Sequence, residues 1–117
     1  MRYPKWGHAT ADVDCATGDS VGLLTITTGR AFWMRGIYFN AVASDGGLNV
    51  FDAAAGATGT GVAKIQIMCA TNLAGAPHRG HVSFAAPGIK FSTSVSVARD
   101  ISDACTAFSV GCYGYEE

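Results

Sequence analysis

Charge is scarce in this chain, and the scarcity limits what it can do. Eight Lys and Arg residues stand against nine Asp and Glu, together 15% of 117 residues, for a formal net charge of −1. Soluble domains usually carry about 25%. The cations are scattered and form no basic run. Nucleic-acid binding needs clustered cations to neutralise phosphates, so the composition argues against it. No stretch reaches the ~18 consecutive apolar residues of a membrane-spanning helix. Behind the first charged residues, Met-Arg-Tyr-Pro-Lys-Trp, there is no apolar segment of the kind a secretory signal has. Paired cysteine motifs are missing too. Cys15, Cys69, Cys105 and Cys112 contain no CxxC, and the odd spacing of Cys105 and Cys112 would put them on opposite faces of one strand. Cys69 continues the apolar face of Ile65 and Ile67, and Cys112 that of Phe108 and Val110. Both read as small buried hydrophobes with free thiols, which fits a reducing cytoplasm.

What the chain has instead is small and apolar. Hydrophobic residues make up 49%, and fifteen glycines are spread among many Ala, Ser and Thr. The length suits one domain that buries roughly 65% of its unfolded surface. So little charge on a small domain suits a subunit that covers part of its outside in an assembly.

The apolar pattern is that of strands. Pro87-Gly88 marks a turn. After it Ile89, Phe91, Val95 and Val97 alternate with Lys90, Ser92, Ser94 and Ser96, which predicts a single strand over 89–97 with a buried face and a wet, serine-rich face. Val21 to Thr28 alternates in the same way. Ala31 to Val42 is apolar on both phases, so both its faces should be covered, and Gly36 within it suggests a bulge or a split into two strands. Ser44-Asp45-Gly46-Gly47 predicts a hairpin turn into a strand over 48–53. A small-residue loop over 54–61, a strand over 62–70, a loop over 71–80 and a strand over 81–86 follow. A polar corner over 99–104 then leads into a last strand over 105–115. Residues 1–20 show no sustained period and read as an irregular N-terminal arm with Tyr3, Trp6 and His8. The expected architecture is all-β: an antiparallel β-sandwich of 7–8 strands over residues 21–117, jelly-roll-like, preceded by the arm.

Catalytic and metal-binding chemistry is poorly represented. The Gly-Ala-Thr-Gly-Thr-Gly run lacks the Lys-Ser/Thr ending and the helix of a phosphate-binding loop. His78 and His81 match no zinc-ligand spacing and are better read as loop histidines in solvent. No GxSxG elbow occurs. Asp45 and Asp52 are explained by turn chemistry and a strand end rather than as a glycosidase pair. No enzyme activity, cofactor or metal is therefore expected. Trp6, Trp33 and Tyr113 exceed what one core face needs, and aromatic residues are enriched at the cores of protein interfaces.

Read together, Gly36-Ile37-Tyr38-Phe39-Asn40, Leu48-Asn49-Val50-Phe51-Asp52-Ala53, Ile65-Gln66-Ile67, Pro87-Gly88-Ile89-Lys90-Phe91 and the closing Tyr113-Gly114-Tyr115 form an ordered pattern. Over about residues 21–115 it resembles the small structural proteins of tailed bacteriophage virions, to which this chain adds a long leader and four cysteines. The resemblance implies a non-enzymatic β-sandwich in the virion, assembled in the host cytoplasm. The expected role is a capsid decoration or cement protein, often a homotrimer, that bridges major capsid subunits. Partner contacts are expected at Tyr3, Trp6 and His8 in the arm and at Leu73, His78 and Arg79 in the loop. Neither nucleic acid nor membrane is an expected partner. The alternatives are a tail fibre, knob or adaptor subunit, or a carbohydrate-binding module in which Trp6 or Trp33 stacks on a sugar ring.

Overall fold

The computed structural model describes residues 1–11, 20–42, 46–55, 63–69, 78–99 and 107–117. Those residues form nine strands and no helix: β1 (Tyr3–Ala11), β2 (Val21–Thr25), β3 (Phe32–Val42), β4 (Gly46–Asp52), β5 (Ile65–Cys69), β6 (His78–Ser83), β7 (Ile89–Phe91), β8 (Ser94–Arg99) and β9 (Ala107–Glu116). One sheet runs β1-β9-β3-β6, with β7 also paired to β3, and the other runs β2-β8-β4-β5. All pairings are antiparallel. The sheets share one core, with Phe32, Met34, Ile37, Val110 and Cys112 from the first and Leu24, Leu48, Val50, Val95 and Val97 from the second. The all-β class and the two-sheet sandwich arrangement agree with the sequence reading.

Three local expectations are corrected. Residues 3–11, expected in an irregular arm, form an edge strand in register with β9 from Tyr3↔Glu116 to Ala11↔Phe108. Their period is hidden because the core side of β1 carries small residues: Gly7 lies against the backbone of Leu23, and Ala9 is buried. Asp45-Gly46 does not close a hairpin, because β3 and β4 lie in different sheets. Ser44 and Asp45 lie outside the described residues; strand partners are chosen by distant residues, and β3 pairs with β9 and β6. His78 and Arg79, expected in a loop, belong to β6, where their backbones pair with Ala41 and Asn40.

The stretch after Pro87 is the fourth correction. Its turn forms as expected, with a cis Ala86–Pro87 bond and Gly88 at φ 105°. The buried line of Phe91, Val95 and Val97 also holds. Yet 89–97 is two strands rather than one, because the chain leaves the first sheet after Phe91 and joins the second at Ser94. Asp52, at the end of β4, holds this corner. Its carboxylate accepts the N–H groups of Ser92 (2.9 Å), Thr93 (2.7 Å) and Ser94 (3.3 Å). Lys64 Nζ stands 3.8 Å away. Burial alone would raise the Asp52 pKa, but the three N–H donors and Lys64 outweigh it and hold the carboxyl below its ordinary value. Ser96, expected to be wet, is fully buried beside Phe51, its register partner, and its hydroxyl has no hydrogen-bond partner.

The bulge suggested at Gly36 is present, with the register shift falling between Met34 and Gly36. Arg35, the extra residue, accepts the Phe84 N–H at its carbonyl and donates Nε–H to the Phe84 carbonyl. Near the bulge, in the cross-strand row of Phe32, Glu116 is almost wholly buried. It accepts hydrogen bonds from Lys5 of β1 and from the Thr27 N–H, and Arg30 lies 3.6 Å from it. Burial opposes its charge, but the Lys5 and Thr27 donors prevail and bring its pKa from 4.5 down to about 2. A carboxylate with a depressed folded pKa stabilises the protein above its unfolded pKa, and that contribution disappears as pH falls through the folded one.

Two predictions test these anchors. Asp52→Ala is expected to cost about 2 kcal/mol in urea unfolding at neutral pH, because three backbone donors lose their acceptor. Wild type is expected to lose about 3 kcal/mol between about pH 4.5 and pH 2 through Glu116. In Glu116→Gln that part of the pH dependence should vanish, and an unchanged profile would show that the carboxylate anchors nothing.

Candidate functional site

Antiparallel register fixes what each face of the β1-β9-β3-β6 sheet carries. On the core side lie Ala9, Val110, Cys112, Ile37 and Phe39, all buried. The opposite side is arranged in four cross-strand rows. The first is Pro4–Tyr115–Trp33–Lys90, the second Trp6–Tyr113–Gly36–Ser83, the third His8–Gly111–Tyr38–His81, and the fourth Thr10–Ser109–Asn40–Arg79. Aromatic and imidazole rings therefore share one face, and the two middle rows carry no Asp, Glu, Lys or Arg.

Glycine makes the middle of this face flat. Tyr113 and Gly36 are cross-strand partners, as are Gly111 and Tyr38, so each tyrosine stands opposite a glycine on the neighbouring strand. A Cβ on Gly36 would sit 2.2 Å from the Tyr113 ring, and one on Gly111 would sit 2.0 Å from the Tyr38 ring. Each ring thus lies down over its partner's backbone, in space that any side chain would fill. Even so, the rings stay open to solvent. Trp6 is 75% exposed, Tyr38 42% and Tyr113 37%.

The polar groups between the rings are paired with one another. His81 Nε2 is hydrogen-bonded to the Tyr113 hydroxyl at 2.8 Å, with the two rings 5.7 Å apart. His8 Nε2 is hydrogen-bonded to Ser109 Oγ at 2.9 Å. At the first-row end Tyr115 is buried under Arg2 and donates to the Pro87 carbonyl, and Lys90 stands over Trp33. Among the described residues no three His, Cys, Asp or Glu side chains come together as a metal site would require. Cys112 faces the core, where burial pushes its thiol up to about 12 and leaves it unreactive.

The structure brings together only part of the expected contact set. Trp6 and His8 stand on the aromatic face. Tyr3 is turned to the other side of β1 by register, under the guanidinium of Arg30. Leu73 lies outside the described residues. His78 and Arg79 are placed by backbone only, with Arg79 in the fourth row. Tyr113 was legible as a surplus aromatic, but Tyr38 and His81 were not. The available signal for Tyr38 was its place in a strand that is apolar on both phases. Nothing local pointed to His81, because its role depends on register with Tyr38.

The described residues define an all-β protein of two antiparallel sheets, and among them nothing covers the aromatic surface. No protein-family model, curated protein or solved structure matches the chain.

Gly111→Ala tests the face directly. The methyl group would occupy the space of the Tyr38 ring, so the ring must lift. Overpacking of this kind costs about 1–3 kcal/mol. The variant should still unfold cooperatively while Tyr38 nitrates faster than in wild type; an unchanged nitration rate would mean that the ring does not rest there.

Proposed function

We propose that this chain is a non-enzymatic structural subunit of a tailed-bacteriophage virion. In this reading it is a capsid decoration or cement protein that acts as a homotrimer and bridges major capsid subunits. The observation that carries the reading is the nesting of the strand pairs: β1 with β9, β2 with β8, β3 with β6 and β4 with β5. With β7 as a short addition, this nesting and the two sheet orders support a jelly roll, a ribbon of strands wound into two Greek keys. Viral shells and lectins both use that architecture. The low charge of the chain and its bare aromatic face add weight, since a monomer gains nothing from exposing a tryptophan and two tyrosines on one flat sheet. Cementing is mechanical work: apolar surface buried across many joints adds up through multivalency.

A carbohydrate-binding module is the second reading, favoured by the exposure of Trp6 on a flat ring surface. The pairing of His81 with Tyr113 and of His8 with Ser109 weighs against it, because those groups are already engaged with each other rather than free for sugar hydroxyls.

The test is co-sedimentation with undecorated heads of the phage that encodes the chain. The protein should pellet with heads, saturate at a fixed ratio, and raise the temperature at which they rupture. No retention at any ratio would overturn the capsid role, and retention on tails alone would move the protein to the tail.

A further inference from the structure

Resting on the reading of this chain as a shell subunit, we infer that the aromatic face of the β1-β9-β3-β6 sheet is covered by a second copy of the chain. Sequence and structure disagree at this face in an informative way. Residues 31–42 are apolar on both phases, the pattern of a strand buried on both sides. The structure covers only one side: Phe32, Met34, Ile37 and Phe39 are buried, whereas Tyr38, on the other side, is open. The chain thus carries the sequence of a covered sheet and supplies no cover for it among the described residues.

Three features favour an identical copy as the cover. The first is charge. An isologous contact places each group against the same surface, so a charged face would repel itself. Here the middle rows hold Trp6, Tyr113, Gly36, Ser83, His8, Gly111, Tyr38 and His81, and the Lys and Arg positions, Lys90 and Arg79, stand at the β7 and β6 edge. The second is polar satisfaction. Covering a surface strips water from its polar atoms, which is costly unless they have partners. The His81–Tyr113 and His8–Ser109 pairs are made within one chain and survive the loss of water.

The third is size and shape. Four strands about 4.8 Å apart and four rows about 6.8 Å apart span roughly 500 Å² in plane. Standing side chains such as Trp6 raise the accessible area above that, towards the ~800 Å² per partner of a standard interface. The tyrosines laid over Gly36 and Gly111 keep the surface flat, so two copies can meet without voids. Trp6, at 75% exposure, is the natural anchor, since buried tryptophans dominate interface energetics.

The experiment is sedimentation and native mass spectrometry of the whole chain as a function of concentration. Wild type is compared with Trp6→Glu, with Ser83→Glu in the same row, and with Gln66→Glu, an exposed position on β5 of the other sheet. Wild type should self-associate through this two-fold contact, as a dimer or as a hexamer of two trimers set face to face. Both face variants should weaken association at least tenfold, the effect of losing a tryptophan anchor or burying an unpaired charge. The Gln66→Glu variant should behave as wild type. Ser83→Glu alters an exposed polar residue and reports even if Trp6→Glu does not fold. A wild type that stays monomeric at about 1 mM, or an oligomer unaffected by the face variants, would overturn the proposal. Quenching of tryptophan fluorescence by a neutral polysaccharide, with wild type monomeric, would overturn it in favour of a sugar. Head co-sedimentation of the same samples separates the two readings. Monomers that bind heads remove only the self-contact, and oligomers that ignore heads remove only the capsid role.

Discussion

Of the points at which the chain passes from one sheet to the other, the shortest lies between Phe91 and Ser94, and its geometry depends on one carboxylate. Strands that change sheets must interrupt their ladder, and the amides at the interruption need an acceptor. Asp52 supplies it for three consecutive N–H groups. It can do so because it ends β4, whose neighbour in the second sheet is β8, the strand that begins at Ser94. The clamp ties β4 to the start of β8 while Phe91, one residue before the corner, stays fully buried in the shared core. β7 and β8 can then belong to different sheets and still contribute to one core.

Glu116 has a comparable role in the same cross-strand row as Phe91, two strands away in the first sheet. A buried carboxylate is costly when alone, but this one accepts from Lys5 and Thr27 and lies beside Arg30. Lys5 also donates to the Thr25 carbonyl of the second sheet. The first strand, the turn after β2 and the last strand therefore meet at one charge cluster, which gives the N-terminal segment a fixed place on the sheet edge.

Glycine and tyrosine shape the outer face further along this sheet. Side chains normally stand off a sheet, but opposite Gly36 and Gly111 the tyrosine rings can lie down. The same glycines that remove bulk beneath the rings produce a low, uncharged surface, and the edge position of β1 adds Trp6 to it. Those features place part of the sequence's shortage of charge on one face of the fold.

How much of this was legible depends on the range of the interactions. The all-β class, the strands around Leu24, Phe39, Val50, Ile67 and Val110, the turn at Pro87-Gly88 and the bulge at Gly36 follow from alternation and turn chemistry, which act within a few residues. β1 was missed because Gly7 and Ala9 give its core side no hydrophobic weight; only the approach of Leu23 explains them. The corner at 92–93 was read as a continuous strand, because alternation persists across it and the carboxylate that bends it lies some forty residues away. Trp6 and His8 were chosen as contact residues from composition, yet their grouping with Tyr113, Tyr38 and His81 comes from register between strands far apart in the chain. The sequence by itself determined strand-forming segments, buried sides and the shortage of charge, because each is a property of neighbours along the chain. The tertiary structure alone decided which strands pair, where the chain changes sheets and which rings share a face, because backbone pairing between distant segments leaves no mark in local pattern.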